Sequence, residues 1–313
     1  ECKKYMAILF TRVMFLSPLI FAVSIVTGSV LQASNRFLAF AAAPLAYNLG
    51  IIIGAVYFEP LFGPLGLAEG VVLGAFLHLL VQAPALLKTG LRWVKVFNYK
   101  DEGTRRVLKL MLPRSFGLAA AQMNWMILNA LATTLGMGTV TALNFAFNLH
   151  YVPIALVGIS AAVASFPTMS REALNDRTAF KSRIAKTIKA ILLFIVPLSI
   201  IFWYFREYIV GILLGTGIFG ARDVELTAEI LGFFTLGVFA QSIIPIMARS
   251  FYAMQNTRIP VISGAVSMAA SIFLAFSLTE RLGATALPLS YSLAGILNAA
   301  ILAALLRNKL SLK

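Results

Sequence analysis

Residues 115–170 read SFGLAAAQMNWMILNALATTLGMGTVTALNFAFNLHYVPIALVGISAAVASFPTMS, fifty-six positions without one Asp, Glu, Lys or Arg, fenced by Arg114 and Arg171. One bilayer crossing takes ~20 residues, so a run of this length suits two crossings joined by a tight turn. Gly136-Met137-Gly138 supplies the turn. The stretch is expected to be a transmembrane helical hairpin.

The hairpin is apolar but carries amides at helical spacing. Gln122, Trp125 and Asn129 share one stripe of the first arm, and Thr141, Asn144, Asn148 and Tyr151 share one stripe of the second, with His150 beside it. An unpaired amide in hydrocarbon costs several kcal/mol, so each polar face must meet another helix or water. Two readings stay open: interhelical hydrogen bonds of ~0.6 to 2 kcal/mol each, or the lining of a polar substrate cavity formed by Gln122, Asn129, Asn144, Asn148 and His150. Pro153 lies in the second arm and cannot donate to the carbonyl of Leu149, which makes it a candidate hinge.

The composition extends this character to the whole chain. Hydrophobic residues make up 60% and charged residues 12%, with a mean hydropathy of +0.88. A soluble domain carries about 25% charged residues, so the chain is expected to be an all-α polytopic membrane protein. The single Cys2 excludes an internal disulfide or a multi-cysteine metal site. A net charge of +14 points to membrane orientation here rather than to nucleic acid.

Apolar runs define nine candidate spans at 6–34, 37–58, 66–87, 110–134, 139–166, 184–205, 230–252, 259–279 and 284–306. Counted by alternate connections, sixteen Lys and Arg fall on one side and six on the other. The richer side is expected to be cytoplasmic, which places the C-terminal end inside and residue 1 outside. An odd number of spans beginning outside, at Glu1 rather than Met, leads us to expect further helices upstream. Residues 1–87 form one expected helical unit, 88–109 a basic cytoplasmic linker facing lipid headgroups, and 110–313 a second unit. The connection 206–229 holds an apolar stretch, 209–214, expected to be a short interfacial helix, and then the glycine turn GTGIFGARD.

Prolines recur inside the spans, at Pro18, Pro44, Pro84, Pro153, Pro197, Pro245 and Pro288. Such a set suits helices that bend, as in a transporter. No paired acid and base, metal cluster or activated nucleophile is visible, so no enzyme activity, metal or cofactor is expected. Arg114 and Arg249, near span ends, either snorkel to headgroups or receive a phosphate through paired guanidinium hydrogen bonds.

The segment LNFAFNLHYVPIALVGISAAVASFPTMSREA (143–173) resembles the eighth transmembrane helix and following loop of the MurJ/MviN family of lipid II flippases. LKLMLPRSFGLAAAQMNWMI (108–127), GSVLQASNRFLAFAAAPLAYNLGII (28–52), GVVLGAFLHLLVQAPAL (70–86) and LLGTGIFGARDVELTAEILGFF (213–234), running on to SFYAMQNTRIP (250–260), are similar as well. The resemblance implies about the fourth through twelfth helices of a two-lobed, fourteen-helix transporter fold. It further implies a central cavity, alternating access and a place in the bacterial cytoplasmic membrane. It implies a lipid-linked peptidoglycan precursor as substrate, with membrane lipids and other cell-wall synthesis proteins as partners. Family members carry an arginine in a Tyr-Ala-Asp-Arg-Leu pattern on the eighth helix, where this chain has Asn148 within Phe145-Ala146-Phe147-Asn148-Leu149. Cation coupling in some relatives would map onto Asn129, Ser271, Ser290 and Asn298 here, a set without a carboxylate. The alternatives are a polysaccharide-lipid or multidrug exporter on the same scaffold, and a non-transporting membrane scaffold, which the missing arginine favours.

Overall fold

The computed structural model describes residues 2–34, 36–90 and 101–311; at some helical positions, Arg114 among them, it describes the backbone alone. The described residues are helical throughout, with short turns and no strand. In lipid this is the expected solution, because a helix satisfies its own backbone donors and acceptors. Large apolar side chains such as Leu38, Leu45, Leu87, Leu156 and Phe194 stand on the outside, as they do where acyl chains replace water.

The chain divides into two compact units, Glu1–Asn98 and Tyr99–Lys313. The first contains α1 (Cys2–Met14), α2 (Leu16–Ala33), α3 (Phe37–Ile53), α4 (Glu59–Phe62) and α5 (Leu65–Leu87). A wide π-turn, Gly54–Phe58, joins α3 to α4. The seam of this unit lies between α3 and α5, where glycines meet in register. A methyl added at Gly50 would stand 2.3 Å from Cα of Gly74, one at Gly54 2.4 Å from Cα of Gly70, and one at Gly66 2.3 Å from the backbone of Phe58. The Gly50/Gly54 and Gly66/Gly70/Gly74 spacings of four are the small-residue pattern that lets membrane helices touch backbone to backbone.

The second unit contains α6 (Glu102–Ala132), α7 (Thr139–Pro153), α8 (Ser160–Asn175), α9 (Arg177–Tyr204), α10 (Arg206–Leu214), α11 (Ala221–Ala253), α12 (Arg258–Leu282) and α13 (Ala286–Ser311). α11 is the hub, the most buried of the long helices among the described residues, packed against α7, α8, α9, α10 and α13. α12 packs on α13 and on α6. Asp101 caps α6 by accepting from the Thr104 amide at 2.8 Å, and Asp176 caps α9 by accepting from Thr178 and Ala179.

Among the described residues, seven stretches are long and apolar enough to cross a membrane, the last of which, Arg258–Leu310, folds as the two helices α12 and α13. Each of the nine spans expected from the sequence falls on a long helical rod; α9 starts at Arg177 and α11 at Ala221, seven and nine residues before the spans expected there, and two further boundaries shift. α6 begins at Glu102, eight residues before the expected span, because the Asp101 cap starts the helix inside the stretch expected to be linker; residues 91–100 of that stretch lie outside the described residues. The rod beginning at Thr139 runs on to Asn175, with Pro153 and Pro167 both inside it.

Candidate functional site

The hairpin forms as the sequence indicates. Gly136 (φ 121°) and Gly138 (φ 87°) take left-handed backbone conformations that other residues adopt only with strain, and they turn α6 into α7. α7 then sorts its residues by helical period. Thr139, Ala142, Leu143, Ala146 and His150 are buried, whereas Thr141, Asn148 and Tyr151 lie on an exposed face.

The amides divide into two kinds. Asn144 Nδ2 donates to Asn129 Oδ1 at 2.8 Å and to the Val140 carbonyl at 2.8 Å, and Asn129 Nδ2 donates to the Trp125 carbonyl at 2.9 Å. This pair ties α6 to α7. Gln122 and Asn148 are exposed. Asn124 is buried with its Oδ1 unpartnered.

His150 departs from the expected cavity lining. It is fully buried, stacked at 4.5 Å and 14° on Phe234 of α11 and set edge-on to Tyr291 of α13 at 6.0 Å. Its Nδ1 lies 2.7 Å from the Phe147 carbonyl. A carbonyl only accepts, so Nδ1 carries the hydrogen and Nε2 of the neutral ring is left as an acceptor. The Gln241 side chain of α11 adjoins it, and Gln241 Nε2 and His150 Nε2 are both buried without a hydrogen-bond partner. Trp125 and Phe147 complete this nest, their rings 3.9 Å apart. His150 thus packs the hairpin onto the hub instead of facing a ligand, because α11 and α13 close over it. Sequence reasoning missed Phe234, Gln241 and Tyr291, which no local signal links to the hairpin.

Beyond Pro153 the helix widens into the π-turn Ile154–Ile159. Such turns relieve a crowded helix and recur at functional positions. Gly158 lets this turn touch the hub, since a methyl there would stand 2.5 Å from the Ser242 carbonyl. Arg249 of α11 is partly buried, its Nη1 3.5 Å from the Ile159 carbonyl at the end of the turn. The side chain of Arg114, on α6, lies outside the described residues.

The candidate cation ligands do not stand as one cluster of free oxygens. Ser263 donates to Asn298, Ser267 donates to the Ala294 carbonyl at 2.7 Å, and the same step of four along the antiparallel α12–α13 seam puts Ser271 level with Ser290. Ser290 donates to its own helix at Leu287. Asn129 is engaged with Asn144, and Ser271 has a buried oxygen without a partner. At the other end of α8, Arg183 holds Glu172 by two contacts of 2.6 and 2.7 Å from its Nε, a clamp between α8 and α9 that the sequence reading did not identify.

A family model described as lipid II flippase MurJ matches residues 1–313. The lipid II flippase MurJ of Burkholderia cenocepacia is 30% identical over 267 residues, 82% of this chain and 51% of that protein. A protein of Treponema pallidum named "Probable lipid II flippase MurJ" is 24% identical over 300 residues, 93% of this chain and 57% of its own length. The chain thus spans about half the length of the curated relatives it matches. Among solved structures, a lipid II flippase MurJ in an inward closed conformation superposes with a TM-score of 0.80 at 23% identity, covering 93% of this chain and 61% of that one. An inward-facing multidrug resistance MATE family transporter superposes with the same TM-score, 0.80, at 16% identity, covering 98% and 72%.

Proposed function

This chain belongs to the lipid II flippase MurJ family, and from that premise we propose that it takes part in moving lipid II across a bacterial cytoplasmic membrane by alternating access. The family match over residues 1–313 carries this reading. The fold alone cannot, since a flippase and a multidrug transporter superpose equally well. The family is one of transporters, and the chain is a multi-pass membrane protein.

In this proposal residues 1–87 and 110–313 belong to separate halves of the transporter and 88–109 link them at the cytoplasmic side, where the C-terminal end also lies by the distribution of Lys and Arg. Gln122 and Asn148, the exposed amides of the hairpin, offer hydrogen bonds to a sugar headgroup, and Arg114 and Arg249 offer charge to its phosphates. Asn148 replaces the arginine of the family pattern, so less of the phosphate charge is met on α7. Pro153 and the π-turn after it supply the bend about which α8 swings, and the Asn129–Asn144 pair keeps the hairpin one piece while it does. Of the cation candidates, Ser271 has the free buried oxygen. Other cell-wall synthesis proteins are proposed partners.

The test is reconstitution into vesicles carrying labelled lipid II, with exposure of the label read from outside. We expect exchange between leaflets well above that of protein-free vesicles. Exchange no faster than in empty vesicles, from protein that is folded and inserted, would put the non-transporting scaffold in its place.

A further inference from the structure

The outer stripe of α9 carries cations in line with side chains that face lipid. Phe180, Ile184, Ile191 and Ile195 bury one face of this helix within unit 2. Ser182, Lys186, Lys189, Leu193 and Ile200 follow at helical spacing on the opposite face, and all five are exposed. α9 has 28 residues, ~42 Å of helix, and all its charges fall between Arg177 and Lys189. A hydrocarbon core takes ~20 residues, and counted back from the aromatic end at Trp203 and Tyr204 its edge falls near Ala185. Lys186 stands at that edge and Lys189 about one turn inside it. Neither has an ion-pair partner among the described residues.

Beside the lysines lies a recess of about 210 Å³ between α8 and α9, lined by Glu172, Ala179, Ser182, Arg183, Lys186 and Thr187. Its one carboxylate is already engaged, since Arg183 donates from Nε to both Glu172 oxygens and from Nη2 to Oε1. A guanidinium has five N–H donors, so Nη1 and the second hydrogen of Nη2 are left for a ligand. The Ser182 hydroxyl adds another donor, and Thr187 Oγ1, 3.4 Å from Ser165 Oγ, a third group. With Arg183 balanced by Glu172, the recess keeps the charge of Lys186, and Lys189 adds a second. Asp176 does not offset them: it accepts from the amides of Thr178 and Ala179, ten residues or about 15 Å before Lys186.

We propose that the α8–α9 recess binds the headgroup of an anionic phospholipid, with Lys186 and Lys189 on its charge, Arg183 and the hydroxyls on its phosphate oxygens, and its acyl chains along Leu193 and Ile200. The stripe selects the occupant. A soluble anion would use the recess alone, whereas a lipid joins a phosphate at the hydrocarbon edge to chains that run down the same face of α9. A lysine inside hydrocarbon is costly, and a phosphate at the interface offsets that cost. The site uses none of the residues proposed to meet the cargo and does not depend on transport. By the distribution of Lys and Arg it lies in the cytoplasmic leaflet. A phosphate bound there extends the Glu172–Arg183 clamp, so lipid joins α8 to α9 at this end.

The test titrates the full chain, in a neutral detergent, with phosphatidylglycerol or with phosphatidylcholine of the same acyl chains, and counts retained lipid by native mass spectrometry. Each lysine at a membrane surface contributes about fivefold in affinity for an anionic lipid, so phosphatidylglycerol should be held about 25-fold more tightly. Lys186→Gln with Lys189→Gln should bring the two lipids to parity, while Lys186→Arg with Lys189→Arg should keep the preference. Arg258→Gln with Arg307→Gln, which removes the same charge from exposed positions elsewhere in unit 2, should leave it unchanged. Equal affinity for the two lipids in the parent would overturn the proposal, as would an equal loss in both glutamine pairs, since charge anywhere would then suffice. Displacement of phosphatidylglycerol by inorganic phosphate would make the recess a site for a soluble anion and overturn it as well.

Discussion

The two units hold their helices together by different balances of close packing and side-chain contact. In unit 1, α3 and α5 meet at Gly50, Gly54, Gly70 and Gly74, with backbone against backbone and no room for a methyl group. In unit 2, the hub α11 is joined to its neighbours largely through side chains: His150 on Phe234, the Ser292 hydroxyl donating to the Phe233 carbonyl at 2.8 Å, and the π-turn carbonyl that Arg249 reaches toward. Lipid supplies no hydrophobic drive between helices, so association comes from close packing or from hydrogen bonds. Unit 1 relies mainly on the first, and unit 2 combines both. The difference teaches that added volume should be felt most in unit 1, whereas losses in unit 2 should be graded by how many partners a side chain has.

Three substitutions would sharpen or break that contrast. The largest effect is expected from Gly54→Leu, which forces a side chain into the Gly70 backbone; overpacking costs ~1–3 kcal/mol even where side chains can yield, and backbone yields less. Thermal unfolding in detergent should show it poorly folded, while Gly264→Leu, where nothing stands within 4 Å, should melt like the parent. Equal melting of the two would erase the distinction between the units. An intermediate loss of about 3 kcal/mol is expected for Phe234→Ala, which empties the ring on which His150 stacks. A loss below that of a single hydrogen bond would mean that the aromatic nest does not secure the hairpin. The smallest is Asn144→Leu, at ~0.6–2 kcal/mol, read as a modest drop in melting temperature with the hairpin intact. A collapse as deep as that of Gly54→Leu would make the amide pair a keystone and overturn the ranking.

Much of this could be seen in the chain beforehand. The uncharged run 115–170 with its glycine turn became α6 and the α7–α8 rod, and Pro153 did mark a local change of helix. The glycine seam was legible too, in the spacing of Gly50/Gly54 and Gly66/Gly70/Gly74, although the reading passed over it. His150 could not be placed. A lone histidine among amides looks the same in sequence whether it lines a cavity or lies beneath two other helices, and only the approach of Phe234 and Tyr291 chose between them.

The amino-acid order alone determined a membrane protein made of helices, their approximate ends, and which residues of α6 and α7 share a stripe. Those properties follow from hydrogen bonds four residues apart and from the length of a bilayer crossing. Tertiary structure alone decided which stripe is covered, and by what: Asn144 by Asn129, His150 by Phe234, Ser24 by His78 and Gln82. In water the apolar face of a helix announces the core. In lipid the outside is apolar as well, so the pattern that marks a buried face is erased, and only the fit between helices restores it.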